Sequence, residues 1–389
     1  MRHFVLLLAL CPALLAQRPA LHDKAFVMDG HVHVMTRELL TGVDFGARKT
    51  DGHVDLPRMI EGGLDAVFFS VYTPEPYYPS RHEVKNTLRV LSKARDEIDR
   101  NSDSIELALT ASDIERINKA GKVAAFLDLE GSFDMEGDLD VLRGFYRLGL
   151  RSMQLTAHNV TSDTVDSCCD IHRHDGVSEV GKKLIAEMNR LGMVINVAHA
   201  SNDTILQTVA LSKDPVLYTH GGFRHVIDIP RLISDEAAKA IAAKGGVIGL
   251  QFGNTFNNPK YYKWKGGKPP VADISTRLGG YANKSIKEID AGVAKGLPFV
   301  YKGEIPDEYR MTTAGFAKVI DYGVRLVGED HIALGSDFDG GPPLPQGMED
   351  ISDYPEMTKA MIELGYSESR IRKILGLNLL RVIREVTEK

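Results

Sequence analysis

Seven side chains able to bind a metal ion or move a proton stand where apolar runs of this sequence end. They are His31 and His33 in VMDGHVH, Glu130 in FLDLEG, His158 in QLTAHN, His199 in NVAH, His220 in LYTHG and Asp337 in LGSDF. Any one alone is more readily a structural residue. Together they resist explanation by packing, because a buried imidazole or carboxylate needs a partner. Imidazole and carboxylate suit zinc and other divalent first-row ions. Residues two apart on a strand share a face, so His31 and His33 can both point inward. A glutamate between two metals can bridge them through its two oxygens, and two such ions can hold a hydroxide and polarise a carbonyl. A second stretch, DGHVDLP, offers a rival pair in His53 and Asp55.

Something must bring residues so far apart in the chain to one place. Eight short apolar runs precede or contain them: residues 25–34, 65–72, 123–130, 152–159, 193–199, 215–222, 247–252 and 331–338. Near-continuous apolar runs of this length are expected of parallel strands buried on both faces. Amphipathic stretches lie between them, such as 178–192 and 234–246, the latter opening on Ser234 as an N-cap and closing at Gly245. Eight strands alternating with helices predict a (β/α)8 TIM barrel, in which the C-terminal strand ends meet at one mouth. Residues 254–311, rich in Gly, Pro, Lys and Tyr, interrupt the alternation between the seventh and eighth strands. They read as an excursion serving as a lid, an oligomer contact or a plain surface loop.

Composition is that of a globular protein: 389 residues, 43% hydrophobic, 26% charged and formal net charge −6. No basic cluster calls for nucleic acid as a partner. Residues 1–17 carry a basic start and a short apolar run, which predict a signal peptide and an exported, periplasmic or secreted product. Residues 18–389 then form one domain. Leu10 before Cys11 is large where lipid attachment wants a small residue, which argues against an anchor. Cys168 and Cys169 either pair as neighbours or stand as free thiols in a loop, the simpler reading being free thiols.

The strings VMDGHVH, VDLPRMIEGGLDAVFFSVY, FLDLEG, QLTAHN, LGMVINVAHAS, PVLYTHG, PRLISDE, ALGSDFDGG and GYSESRIRKILGLNLLRV occur in this order from about Val27 to Glu388. In them the chain resembles the membrane (renal) dipeptidases, peptidase family M19 of the amidohydrolase superfamily. The resemblance implies that MDGHVH holds the metal ligands and that DGHVDLP leads into the second strand without binding metal. It implies two divalent ions, with zinc expected: His31 and His33 on the first, Glu130 bridging, His199 and His220 on the second. Asp337 would be a further ligand or the catalytic carboxylate. His158 would steady the oxyanion at the scissile carbonyl, and Arg231 of PRLISDE would hold the substrate's C-terminal carboxylate. Asp339 would support its turn.

The implied reaction is hydrolysis of a small dipeptide to free amino acids, and the implied assembly, by analogy, a homodimer. His33 stands where the family carries aspartate, making the centre more positive by one charge. Phe256 stands where a substrate-side tyrosine is usual. Both leave room for another amide, a lactam or tailoring of a peptide metabolite on the same site. A barrel that only binds is the remaining alternative, against which every ligand position keeps a competent side chain.

Overall fold

The computed structural model describes residues 18–389 apart from 34, 36–41, 43, 75–77, 79, 132–134, 136, 157, 269–282 and 297–302. The expected leader and Cys11 lie outside the described residues.

All eight apolar runs form strands, and a short ninth joins them. The strands are β1 (Met28–Val32), β2 (Ala66–Val71), β3 (Ile105–Leu107), β4 (Val123–Leu129), β5 (Leu150–Gln154), β6 (Val194–Asn196), β7 (Val216–Tyr218), β8 (Val247–Leu250) and β9 (Ile332–Leu334). They pair in the order β1-β2-β4-β5-β6-β7-β8-β9, every neighbour parallel. The unexpected β3 pairs with β4 at residues 123–125, whereas β5 pairs with it at residues 127–129. The fold is a nearly closed (β/α)8 TIM barrel. Its closure lies beyond the ends of β1 and β9, where His33 N donates to Phe338 O at 3.0 Å and Asp337 N to His31 O at 3.0 Å. Asp29 reinforces this seam by accepting from the backbone N of both His31 and Ser336.

The helices begin where the side-chain chemistry says they should. Ser178 caps Glu179–Leu191 by accepting from Gly181 N, and Gly192 ends it at φ 69°. Ser234 likewise caps Asp235–Ala243 through Ala237 N. Both supply acceptors for amides that a helix start leaves unpaired. Inward-facing Met28, Phe68, Phe126, Val194, Leu217 and Ala333 pack with Leu379, Val382, Ile383 and Val386 of the C-terminal helix Asn378–Thr387. That helix packs at the end of the barrel away from the seven candidate residues. Polar groups can therefore gather only at the other mouth.

The excursion is largely helical where described, with Asn254–Asn257, Pro259–Trp264 and Ile286–Gly296. The last of these docks beside the helix Ser80–Arg100, where Asp290 takes hydrogen bonds from Tyr78 and Arg89. Among the described residues no helix is long and apolar enough to cross a membrane.

Candidate metal centre

His31 and His33 leave the end of β1 on one face, as their spacing requires, with Nε2 atoms 3.0 Å apart. Glu130 follows β4 and is anchored by Ser70, whose hydroxyl donates to Oε2 at 2.8 Å. The same Oε2 lies 3.0 Å from His33 Nε2 and 3.4 Å from His31 Nε2. Its other oxygen, Oε1, faces a second group: His199 Nε2 at 3.5 Å, His158 Nε2 at 3.9 Å and His220 Nε2 at 4.0 Å. Asp337 Oδ1 completes the first group at 3.2 Å from His33 Nε2. One carboxylate thus stands between two clusters of imidazoles.

This arrangement calls for cations. Among the described residues Glu130 Oε1 and Asp337 Oδ1 are buried without a hydrogen-bond donor, and an unpaired charged oxygen in a dry site is costly. Burial keeps His199 and His220 neutral, with the Arg231 charge adding to the effect, so each offers a lone pair. Burial opposes a charge on His33 too, but Glu130 and Asp337 outweigh it and lift its pKa to about 10. Burial would raise Glu130, yet His33 and His31 hold it well below the usual carboxylate range. A proton on His33 occupies the place in the charge balance that a divalent ion fits. The donor types, all imidazole nitrogen and carboxylate oxygen, suit such an ion.

A second layer of contacts orients these rings. His199 Nδ1 donates to Asn159 Oδ1 at 2.9 Å, which leaves Nε2 unprotonated, with its lone pair as an acceptor. His220 Nδ1 meets Thr219 Oγ1 at 3.1 Å, and the His220 ring stacks on His31 at 3.8 Å. His31 Nδ1 lies 3.8 Å from Asp128 Oδ2, itself held by Asn196. Gln251 donates through Nε2 to Asp337 Oδ2, which turns Oδ1 toward the histidines. His158, His199 and Asp337 all adopt left-handed backbone, with φ of 53°, 62° and 61°. Such non-glycine conformations are uncommon and persist only where the surroundings impose them.

Arg231 reaches the same pocket and is 2% exposed. It donates to Tyr218 Oη at 2.9 Å, His199 Nε2 at 2.9 Å and His220 O at 3.3 Å. Among the described residues it makes no ion pair, and its Nε lacks a partner. A buried guanidinium in that state is ready for an anion. The Phe256 ring sits 5.2 Å from it. His158 lines the same pocket, its ring against His199 and Tyr72.

His53 and Asp55 are placed elsewhere. Asp55 caps the helix Leu56–Glu61 and pairs with Arg58 at 2.6 Å. His53 and Asp339 each donate their backbone N to the other's side chain, His53 N to Asp339 Oδ1 at 2.6 Å and Asp339 N to His53 Nδ1 at 3.2 Å. Gln251 and Asn159 escaped the sequence reading. Gln251 was open to the same rule that picked out the others, since it follows the end of β8. Cys168 and Cys169 are joined as a disulfide, against the simpler expectation of free thiols.

Comparison with known proteins places this geometry. The family described as membrane dipeptidase (peptidase family M19) matches residues 15–389. The Dipeptidase tcpJ of Claviceps purpurea is 29% identical over 348 residues, which is 87% of this chain and 70% of that protein. The probable dipeptidase PvdM from Pseudomonas aeruginosa superposes with a TM-score of 0.77 at 23% identity, over 95% of this chain and 97% of that one. A metallo peptidase from Rhodobacter sphaeroides, solved with a phosphinate mimic of L-Ala-D-Ala, superposes at 0.73 with 23% identity, over 93% and 99%.

Proposed function

Given that this chain belongs to the membrane dipeptidase family and is a metallodipeptidase-type enzyme, we propose that it hydrolyses small dipeptides to free amino acids at a centre of two divalent ions, zinc being the expected metal. The observation that carries this reading is Glu130, whose two oxygens face two separate histidine groups. His31, His33 and Asp337 would hold one ion, His199 and His220 the other, with Glu130 shared. When bound, such ions supply a water acidic enough to attack at neutral pH and a Lewis acid for the carbonyl.

The protein's own groups do the rest. Arg231 receives the C-terminal carboxylate of the dipeptide, which places the peptide bond at a set distance from the ligands and disfavours longer chains. His158 turns Nε2 toward the scissile carbonyl and steadies charge on its oxygen. Asp337, held at Oδ2 by Gln251, takes a proton at Oδ1 from the attacking water and passes it to the leaving amine. The Rhodobacter structure, with its dipeptide mimic, supports the substrate class by analogy. Phe256 against Arg231 favours a second reading, in which another small amide with a free carboxylate is the better substrate. Export through a leader at residues 1–17 belongs to the same proposal.

The test is metal content of purified protein, with Ala-Ala-type dipeptide hydrolysis measured before and after chelation. Two metals per chain with chelator-sensitive cleavage support the reading. Two metals without cleavage move it to another amide, and no metal with no activity on added zinc removes it.

A further inference from the structure

The loop that follows β5 makes an unusual set of contacts with the second histidine group. Cys168 N donates to His199 O at 2.8 Å, and the hydroxyl of Ser167 donates to His199 O at 3.1 Å and to His158 O at 3.3 Å. Ser167 also forms an isolated antiparallel bridge with Ala200. The loop therefore grips the backbone of His199 and His158, two of the three histidines that face Glu130 Oε1, and both are held in left-handed conformation. Behind this grip, Asp166 gathers the turn by accepting from the N of Arg173, His174 and Gly176, while its own carbonyl takes Ser201 N and the Thr204 hydroxyl. At the centre lies the Cys168–Cys169 bond, with the two residues 6% and 7% exposed.

We propose that the Cys168–Cys169 disulfide is a covalent positioning element of the metal centre, fixing the Ser167–Cys169 backbone so that His199 keeps the geometry the second ion requires and His158 stays beside it. The inference rests on the dipeptidase reading above and adds a redox-sensitive part to it. A bond between sequence neighbours closes a very small loop, and the entropic gain from a cross-link grows with loop length. Its contribution to global stability is accordingly small. What it constrains is the peptide between the cysteines and the Cys168 amide that holds His199. Misplacing a group that orients a metal ligand typically costs about 10- to 100-fold in metal affinity.

The chemistry of release is simple. Two electrons and two protons convert the disulfide to two thiols. With a phosphine as reductant, the phosphine leaves as its oxide, with oxygen from water. A phosphine is preferred to a thiol because it competes less for zinc. The experiment begins with the metal-loaded, full-length protein as isolated, its thiols counted by alkylation and mass spectrometry. Phosphine is then added at neutral pH, and metal per chain, dipeptide hydrolysis and far-UV circular dichroism are followed together. The expected result is a disulfide in the isolated protein. On reduction, metal falls from two toward one per chain with unchanged dichroism, and both return on reoxidation. A Cys168→Ala/Cys169→Ala variant should show the same weakened second site, by about 10-fold or more in affinity, with a near-native melting temperature. Two free thiols at isolation overturn the inference, as does reduction or substitution that leaves both metals bound at native affinity. A merely structural bond would move the melting temperature and spare the metal ratio. Oxidised protein that never binds metal removes the dipeptidase reading itself, and the inference with it.

Discussion

Gly340 offers a direct way to displace one carboxylate without touching a ligand. It lies in the DFDG turn, exposed, its N–H donating to Asp337 O at 3.0 Å. Its backbone is outside the left-handed region, so alanine is conformationally allowed. A Cβ there would stand 2.0 Å from Asp337 Oδ1 and 2.8 Å from His33 Cδ2. To restore ordinary contact the Asp337 carboxylate must retreat by about 1.4 Å, and a displacement of even about 1 Å in a reacting group costs about 100-fold in rate. Gln251 holds the other oxygen of Asp337, so the carboxylate cannot swing away freely. Gly340→Ala should therefore lower kcat/KM for a dipeptide about 100-fold and weaken metal binding at the proposed His31–His33 site. Folding should be spared or slightly favoured, since glycine to alanine at a compatible site contributes about 0.4–1 kcal/mol through the unfolded state. The assay is dipeptide hydrolysis, metal per chain and thermal melting on one preparation. Native kcat/KM with a full complement of metal would refute the reasoning. A large fall in melting temperature would refute the claim that the clash is confined to the site.

Arg231→Met should cut kcat/KM for free-acid dipeptides by about 10- to 100-fold, the worth of a charged hydrogen-bonded contact, while dipeptide amides lose little. The ratio of the two rates is the measurement, and an equal loss for both would count against the carboxylate role. Glu130→Gln puts an amide NH2 against one histidine group, so metal per chain should drop and activity fall by at least about 100-fold, as elemental analysis and rate assays would read. His22 gives a pH test remote from the centre. Its Nε2 donates to Gly62 O at 2.9 Å while Nδ1 accepts from the Thr358 hydroxyl at 2.6 Å, and burial lowers its pKa from 6.5 to about 4. The unfolded chain binds this proton below pH 6.5 and the folded chain does not, so its stabilising contribution is full above that value. It is lost as pH falls from about 6.5 to about 4, by about 3 kcal/mol. Urea unfolding of wild type and His22→Gln across that range should show a shallower pH slope in the variant, and identical slopes would refute the assignment.

The barrel was legible because its strands are buried on both faces and so read as unbroken apolar runs. That is why β1, β2 and β4 to β9 could all be placed from sequence. The short β3, Ile-Glu-Leu, has no such run around it and pairs only with the lower part of β4. The excursion read as irregular because its Lys, Gly and Pro residues mask the short helices within it. Ligand-type residues stood out for the same reason as the strands, since each is a polar group following an apolar run. Gln251 follows β8 in the same way, but an amide is neither a usual ligand nor a base, so it drew no notice.

Residue order alone carries the number and direction of the barrel strands, and with them the convergence of His31, His33, Glu130, His158, His199, His220 and Asp337 at one mouth. The apolar runs that make strands are local patterns of residue type, and strands alternating with helices favour parallel pairing. Packing settled which oxygen of Glu130 faces which histidines, that Arg231 is buried with no acid beside it among the described residues, that Gln251 holds Asp337, and that Cys168 joins Cys169 next to His199. Apart from the disulfide, which joins neighbours, those contacts link residues far apart in the chain across distances of a few ångströms. No pattern along the sequence encodes such a distance, because it is set by how the strand ends and loops pack against one another.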